Sequence, residues 1–249
     1  MPQYFTITYF LIFLLYSAAL VCEISKKVKT ASVFLLIGLV FTFALLVLVT
    51  ITSRQLPFFN LFESFLMTVF ILGGLGAFCT RPTQNFAAVR VWVWMEMVII
   101  LGVILPFPKE PSSYAFNHDY LFVNIFHGMR IVSLASILFS SAHFFQSFID
   151  QKNGAYRPEF VHRGRNFLAL STLCFLISEY AGIIWCQNGW GDVWRWGTNF
   201  FQSAVIILWL MLALHLPSGS RRTDMVKVII RSMSGLVLLT LFVIRGILG

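Results

Sequence analysis

Apolar residues gather in eight long runs along the chain, and short polar segments separate the runs. The runs cover approximately residues 4–22, 31–52, 61–79, 88–105, 121–149, 166–186, 199–216 and 226–246. Backbone groups in hydrocarbon must hydrogen-bond within their own segment, so an apolar run of about 20 residues is expected to form a membrane-spanning helix. The fifth run is long enough to tilt or to extend beyond the membrane. The pattern therefore predicts an all-α polytopic membrane protein, a bundle of about eight transmembrane helices.

The composition agrees with this class. The 249 residues are 58% hydrophobic and 11% charged, with a mean hydropathy of +0.82. A soluble domain of this length could not cover so much apolar surface, so the surrounding solvent is lipid. No soluble domain, low-complexity segment or obvious repeat interrupts the runs, which predicts a single integral membrane domain over residues 1–249. The four cysteines are scattered and show no metal-binding spacing.

The basic residues predict how the helices are oriented. The net charge of +8 lies in short segments between apolar runs, where it sets membrane orientation and does not indicate a nucleic-acid partner. With the N-terminus outside, thirteen of the eighteen lysines and arginines fall on the inner side: Lys26, Lys27, Lys29, Arg81, Arg90, Lys152, Arg157, Arg163, Arg165, Arg221, Arg222, Lys227 and Arg231. The outer side carries Arg54, Lys109, Arg195 and Arg245, and Arg130 lies within the fifth helix. This bias places both chain termini on the outer side.

The segment Trp185–Gly197, between the sixth and seventh runs, contains four of the seven tryptophans. Indoles collect at membrane–water interfaces, which accounts for one or two of them. The spacing W-G-x-x-W-x-W from Trp190 predicts more, a compact aromatic shelf in which Gly191 lets a flat ligand or another backbone come close. The predicted orientation puts this segment, expected to be a loop, on the outer side. The proline-rich outer connection 106–120 could cover a ligand there.

The histidines are candidates for metal ligation. A lone histidine in a helical bundle is usually a hydrogen-bonded core or interface residue, and His162, expected in an inner loop among arginines, is interpreted in that way. His127 lies near the outer end of the fifth helix, level with the tryptophan segment, and an imidazole beside an aromatic wall is what a haem ligand requires. His143 and His215 share a similar inner depth and are either the two axial ligands of one haem b or groups that cap helix ends. His127 and His143 are about 24 Å apart along the helix, too far to share one haem.

Two charges within the apolar runs are expected to meet. Arg130 lies about two turns into the fifth helix from the outside, and Glu179 lies at a matching depth in the sixth. Because an unpaired charge in lipid is costly, we expect them to pair and to hold the two helices together. An additional, functional interpretation is that Arg130 also contacts a haem propionate. Glu96, deeper in the fourth helix, has no obvious partner by depth.

Several of these residues resemble a known family. Gly182-Ile-Ile-Trp185 and Trp190-Gly191-Asp-Val-Trp194-Arg195-Trp196 resemble the "WWD" signature, G-x-x-W followed by W-G-x-x-W-x-W-D, of the cytochrome c assembly family, the haem-handling membrane proteins of the CcsA, ResC and CcmC type. Pro57-Phe-Phe-Asn60-Leu61-Phe62-Glu63-Ser64 is similar to the P-x-S-N-L-Y-E-S box of CcsA-type members. His127 and Ala213-Leu214-His215 stand where the family has a histidine before and after the signature. The resemblance covers roughly residues 56–216.

The chain also departs from the family pattern. Gly197 stands in place of the final Asp of the signature, and Thr198-Asn199-Phe200 replaces the P-K-E that follows it. The late outer histidine of the family is not found before the chain ends at Gly249. An outer haem would then need another second ligand, for which His118 is a candidate.

The resemblance implies a protein that receives haem, holds it at the outer face and presents it for attachment to apocytochrome c. It implies one haem b at the outer face and a second where His215, with His143 or a second subunit, binds haem on the inner side. The residues expected at the outer haem are His127 on the iron, Trp185, Trp190, Gly191, Trp194 and Trp196 around the porphyrin, and Arg130 or Arg195 at the propionates. Such a protein ligates and orients haem and is not a free-standing enzyme.

The resemblance also implies partners and a location. The expected partners are membrane lipid, apocytochrome c and a second cytochrome c assembly membrane subunit. The expected location is a bacterial inner membrane, with a thylakoid membrane left open.

Two other functions stay open at this level. Because the motif Asp and the late histidine are missing, the chain could be a diverged member that acts as a HemX-type regulator or as a membrane anchor subunit of a cytochrome complex, with or without haem. A plain helical scaffold with an aromatic belt is the third interpretation. Haem content separates the haem-binding functions from the scaffold.

Overall fold

The computed structural model describes residues 3–80, 87–115, 119–154, 157–191, 198–216 and 224–248. Within these ranges the chain forms eight α-helices and no strand: α1 (Gln3–Ile24), α2 (Val28–Ser53), α3 (Leu61–Cys79), α4 (Ala87–Ile104), α5 (Leu121–Lys152), α6 (Pro158–Trp190), α7 (Thr198–His215) and α8 (Asp224–Leu248). The prediction of an all-α fold is confirmed, and each predicted apolar run coincides with one helix.

Six of the helices are long and apolar enough to cross a membrane. They are α1, α2, α3, α5, the part of α6 at Pro158–Gly189 and the part of α8 at Val226–Arg245. In α7 the apolar part is shorter, Phe201–His215. The protein is therefore an integral membrane protein built from helices, as predicted, while the side on which each terminus lies stays a prediction.

The helices form two compact units, residues 1–115 and 116–249. In the first unit α1 packs on α2 and α4, and α3 also packs on α2 and α4. In the second unit α5 packs on α6 and α8, and α7 also packs on α6 and α8. Each unit is thus a closed ring of four helices. The prediction that residues 1–249 act as a single membrane domain is not tested by this division.

A buried ion pair joins three helices of the first unit. Arg90 of α4 lies 3.2 Å from the carboxylate of Glu23 in α1, and it donates a hydrogen bond of 2.9 Å to the hydroxyl of Ser32 in α2. Its guanidinium also stacks 5.6 Å from the ring centre of Trp94. Arg90 was counted among the inner basic residues that set orientation, but the structure buries it inside the unit. In lipid, such pairing lowers the free-energy cost of burying a charge.

Small residues hold α5 against its neighbours in the second unit. Ser133 of α5 and Ser171 of α6 each donate a hydrogen bond of 2.9 Å to the other's backbone carbonyl. Ser140 donates to the carbonyl of Gly164 at 2.7 Å, and the amide of Gly235 in α8 donates to Ser141 at 2.8 Å. In lipid, burial of apolar surface contributes little free energy to helix association. Close packing and interhelical hydrogen bonds of this kind therefore stabilise it.

The start of α6 corrects one prediction. His162 was expected in an inner loop, but α6 begins at Pro158, so His162, Arg163 and Arg165 lie in its first turns. Proline is favoured at the first helical position because its missing N–H would be unpaired there in any case. Glu159 follows in the first turn, where a negative charge interacts well with the helix dipole.

Candidate functional site

The tryptophan segment is helical in its first half, which corrects the prediction of a loop from Trp185 onward. α6 continues through Trp190 and ends at Gly191, whose φ of 72° is left-handed. The Gly191 amide donates to the carbonyl of Gln187 at 3.0 Å. Residues 192–197, which include Trp194, Arg195, Trp196 and the motif position Gly197, lie outside the described residues, as does the side chain of Trp190.

Gly191 has a backbone reason to be glycine. Helices commonly end on a residue in the left-handed conformation, which costs glycine nothing because it has no Cβ. The second part of its predicted role, close approach by a flat ligand, stays a prediction.

His127 of α5 and Trp185 of α6 lie side by side in the second unit. Their ring centres are 6.5 Å apart with the planes inclined by 54°, and His127 is half-buried. Phe126 completes the cluster, with its ring centre 5.0 Å from His127 and 5.8 Å from Trp185. The hydrogen bond from Asn188 to the hydroxyl of Tyr120 ties α6 to the residue before α5. We call this region, Tyr120–His127 with Trp185–Gly191, the α5–α6 end.

Gly182, the first residue of the G-x-x-W pattern, makes room for this cluster. A Cβ atom at Gly182 would lie 2.8 Å from two atoms of the Phe126 ring. The ring is also held by the guanidinium groups of Arg130, 4.1 Å from its centre, and of Arg245, at 5.3 Å. The glycine of the pattern therefore serves close packing of α6 on α5.

Replacing Gly182 by alanine is expected to destabilise the protein by about 1–3 kcal/mol, because the enclosed Phe126 ring must move to admit a methyl group. The matched control is Gly189→Ala on the same helix, where a Cβ would meet nothing within 4 Å. That change should be neutral or slightly stabilising, since alanine favours helix. The measurement is the unfolding midpoint of each variant in one detergent. Equal midpoints for the two variants would contradict the packing role of Gly182.

The predicted pair of Arg130 and Glu179 is confirmed. The Arg130 guanidinium donates from Nη2 to Glu179 and, at 2.8 Å, to the hydroxyl of Ser203 in α7. Its Nε donates to Ser178 at 3.1 Å, and Ser203 donates to Glu179 at 3.2 Å. Arg130 and Glu179 are both buried. The pair therefore joins α5, α6 and α7 in one network.

The surroundings of Arg130 support its structural role. Its guanidinium lies over the rings of Phe126, at 4.1 Å, and Phe175, at 5.4 Å, and it forms an ion pair with Glu179. The additional interpretation, contact with a haem propionate, stays a prediction.

The second block that resembles the family, Pro57–Ser64, forms the start of α3 and holds a distant segment in place. Asn60 is the N-cap, and its side chain accepts from the amide of Glu63 at 2.7 Å. The Glu63 carboxylate accepts from the amide of Phe59 at 3.1 Å and from the amide and hydroxyl of Ser112 at 2.6 and 2.8 Å. Asn60 also donates to the carbonyl of Glu110 at 2.8 Å. The polar residues of this block are thus accounted for by helix capping and by fixing residues 110–112.

Known proteins offer an independent comparison. The chain is 23% identical over 168 residues to the cytochrome c biogenesis protein CcsA of Glycine max, which covers 65% of this chain and 47% of that protein. The CcsA proteins of Cuscuta exaltata and Solanum bulbocastanum are 21% identical over 128 residues and 20% over 127, covering 51% of this chain and 37% of each relative. The chain is distantly similar to CcsA proteins. No protein-family model matches it.

The similarity has a limited extent, since the chain spans about half the length, or less, of the curated relatives it matches. It supports the CcsA part of the resemblance drawn from the sequence. The ResC and CcmC types and the WWD signature itself stay predictions.

His143 is buried in α5 among aromatic rings. Its Nδ1 donates to the carbonyl of Phe139 at 2.8 Å, so Nε2 carries the lone pair, and this atom has no hydrogen-bond partner among the described residues. The ring is 0% exposed and lies against Phe139, Phe160 and Phe167, with centres 4.7, 6.4 and 6.4 Å away.

His215 has a different setting, exposed in the last turn of α7, where its Nδ1 donates to the carbonyl of Met211 at 2.9 Å. That contact favours the helix-end interpretation. The axial pair of His143 and His215 is not tested, and His118 lies outside the described residues.

Arg231 has a role that the sequence did not reveal. It is buried in α8 and donates to the carbonyl of Ala213 at 3.0 Å and of Leu216 at 2.6 Å. These carbonyls belong to the C-terminal end of α7, where the last four have no partner within the helix. A cation there also interacts favourably with the helix dipole. The sequence signal was an arginine inside the last apolar run, which also contains Lys227 and Arg245.

Proposed function

We propose that this protein is a haem-binding membrane protein of cytochrome c biogenesis, which holds haem at the α5–α6 end and presents it to apocytochrome c. The distant similarity to CcsA proteins supports the process. The observation that carries the site is the half-buried imidazole of His127 beside the Trp185 ring, at the point where α6 leads into the tryptophan segment.

The residues present fit a haem. Haem iron in proteins is commonly held by a histidine, and the polarity and access of the surrounding pocket set its behaviour. His127 provides a partly accessible imidazole, and Trp185 and Phe126 provide flat apolar surface beside it.

Each of these residues would then have a specific role in haem binding. His127 would ligate the iron, and Trp185, Trp190, Trp194 and Trp196 would pack on the macrocycle, with Arg195 near the propionates. When bound, haem supplies vinyl groups to which the thiols of an apocytochrome add. The protein's own residues bind the haem, orient it and limit its exposure. Arg130 acts indirectly, because it holds Phe126 and Glu179 in place.

The wider proposal includes the partners and the membrane. Apocytochrome c and a second assembly subunit would meet the haem at the α5–α6 end. The charge bias supports an outer position for this end, and the membrane that we propose is a bacterial inner membrane. A second haem near His215 is a separate proposal, for which the enclosed ring of His143 offers no support.

His127→Ala is expected to lower the haem content of the purified protein about tenfold or more, since even indirect partners of a ligand change metal affinity by that much. The measurement is the pyridine haemochrome spectrum per mole of protein, purified in mild detergent from cells supplied with excess haem precursor. His162→Ala, an exposed histidine in the first turns of α6, is the control and should keep the wild-type content. Equal haem in the two variants would remove His127 from the site.

A separate experiment tests the delivery role. In a strain that lacks the gene, c-type cytochromes detected by haem staining should be lost, and the wild-type gene should restore them. Unchanged staining would contradict a role in cytochrome c biogenesis, whatever the haem content of the protein.

A further inference from the structure

A cavity of about 320 Å³ opens in the first unit. Its walls are Phe5 in the first turns of α1, residues 52–54 at the end of α2 and residues 110–114 after α4. Small-molecule sites in proteins usually fall between about 300 and 1,000 Å³, so this cavity suits a small polar group. None of its lining residues belongs to the α5–α6 end.

The walls of the cavity are held by a set of hydrogen bonds. Gln55 donates from its side-chain amide to the hydroxyl of Ser112 at 2.6 Å and to the carbonyl of Ser113 at 3.3 Å. Asn60 and Glu63 fix Glu110 and Ser112 through the contacts described above. A cavity whose wall is held before the ligand arrives loses less entropy on binding.

Two residues of opposite charge, Arg54 and Glu110, line this cavity. Within the described residues, the side chains of Arg54 and Glu110 form no hydrogen bond or ion pair, with each other or with any other group. Lys109, the neighbour of Glu110, turns instead to the end of α4 and donates to the carbonyl of Ile104 at 3.1 Å. The lining of the cavity therefore includes one arginine and one glutamate whose charged groups have no partner among the described residues.

The position of the cavity points to a lipid. It lies where α1 begins and α2 ends, which is the membrane-surface level for two apolar spanning helices. At the same ends of α1 and α2, Ile7 and Ile51 are 64% and 69% exposed. An acyl chain could lie on this apolar surface while its headgroup enters the cavity.

We propose that this cavity binds the headgroup of a zwitterionic aminophospholipid such as phosphatidylethanolamine. Arg54 binds the phosphate, because a guanidinium matches phosphate oxygens with paired donors. Glu110 binds the ammonium group, and the exposed ring of Tyr114 adds cation–π attraction for it. The proposal is independent of the haem function, since no residue is shared between the two sites.

The test is native mass spectrometry of the full chain in detergent micelles with phosphatidylethanolamine and phosphatidylglycerol of the same acyl chains. Phosphatidylethanolamine should be retained about tenfold better by the wild type, the factor that one charge-assisted contact gives. Arg54→Gln should lower retention of both lipids about tenfold, because both carry the phosphate. Glu110→Gln should lower only phosphatidylethanolamine, and Arg54→Lys should restore part of the loss.

Matched controls keep this test decisive. Arg165→Gln and Glu159→Gln remove an exposed charge of each sign on α6 and should retain both lipids as the wild type does. The unfolding midpoint of each variant shows whether it folds. If Glu110→Gln keeps the preference for phosphatidylethanolamine, the assignment of the ammonium to Glu110 is wrong. If free O-phosphoethanolamine competes as well as the lipid at equal concentration, the ligand is a soluble zwitterion and the lipid proposal fails.

Discussion

Replacing Arg130 by leucine is expected to lower the free energy of unfolding by about 3–5 kcal/mol, the cost of leaving one partner of a buried ion pair uncompensated. The Glu179 carboxylate would lose the guanidinium and, among the described residues, keep only the hydroxyl of Ser203 at 3.2 Å. Glu179→Leu should cost a similar amount, because the buried guanidinium of Arg130 then keeps only the hydroxyls of Ser178 and Ser203 among the described residues. SDS titration in mixed micelles, followed by circular dichroism, measures both losses.

The double variant Arg130→Leu/Glu179→Leu should lose clearly less than the sum of the two single variants, since neither charge is then left alone. Additive losses would mean that the two side chains do not interact. Arg157→Leu is the control for removal of a cation. Arg157 lies 3.7 Å from Asp150 but is 43% exposed, so its loss should cost less than about 1 kcal/mol.

Glu63→Ala is expected to destabilise the first unit by about 2–4 kcal/mol, because buried donors are left without an acceptor. These donors are the amide of Phe59 and the amide and hydroxyl of Ser112. The loss of the hydrogen bond to Glu63 can be detected locally, because the amide of Ser112 should exchange its hydrogen faster. Hydrogen exchange followed by mass spectrometry over residues 110–114, with the unfolding midpoint, measures both effects.

Glu63→Gln is the matched comparison, because it keeps one acceptor oxygen and the length of the side chain. Its loss should fall between wild type and Glu63→Ala. Unchanged exchange over residues 110–114 in Glu63→Ala would mean that the carboxylate does not hold this segment.

The helices could be predicted from the sequence because, in hydrocarbon, an apolar segment satisfies its own backbone hydrogen bonds by forming a helix. The Arg130–Glu179 pair was predictable for a related reason: depth can be counted along two spanning helices from a shared end. The ends of α6 were not predictable in this way. An apolar run marks the part of a helix within hydrocarbon, and α6 extends past it at both ends, to Pro158 and to Trp190.

Contacts that depend on rotation about the helix axes could not be read from the sequence. Arg231 at the end of α7 and Arg90 beside Glu23 are examples, since nothing in an apolar run shows which neighbour a side chain faces. Glu96 illustrates the same limit, because depth gave it no partner and its buried Oε2 atom has none among the described residues. At the candidate site, the position of His127 near the tryptophans followed from depth, while the contribution of Phe126 and Gly182 required the packed structure.

The lengths of α5 and α6 carry a mechanical consequence. They contain 32 and 33 residues, which is about 48–50 Å of helix at 1.5 Å per residue, against a hydrocarbon layer of about 30 Å. A tilt of about 20° shortens the crossing by only about 3 Å. The remainder must extend beyond the acyl chains as a pair of helices, which the Ser133–Ser171 hydrogen bonds join nearer their middle. A soluble protein could therefore contact the ordered surface of these helices without entering the bilayer.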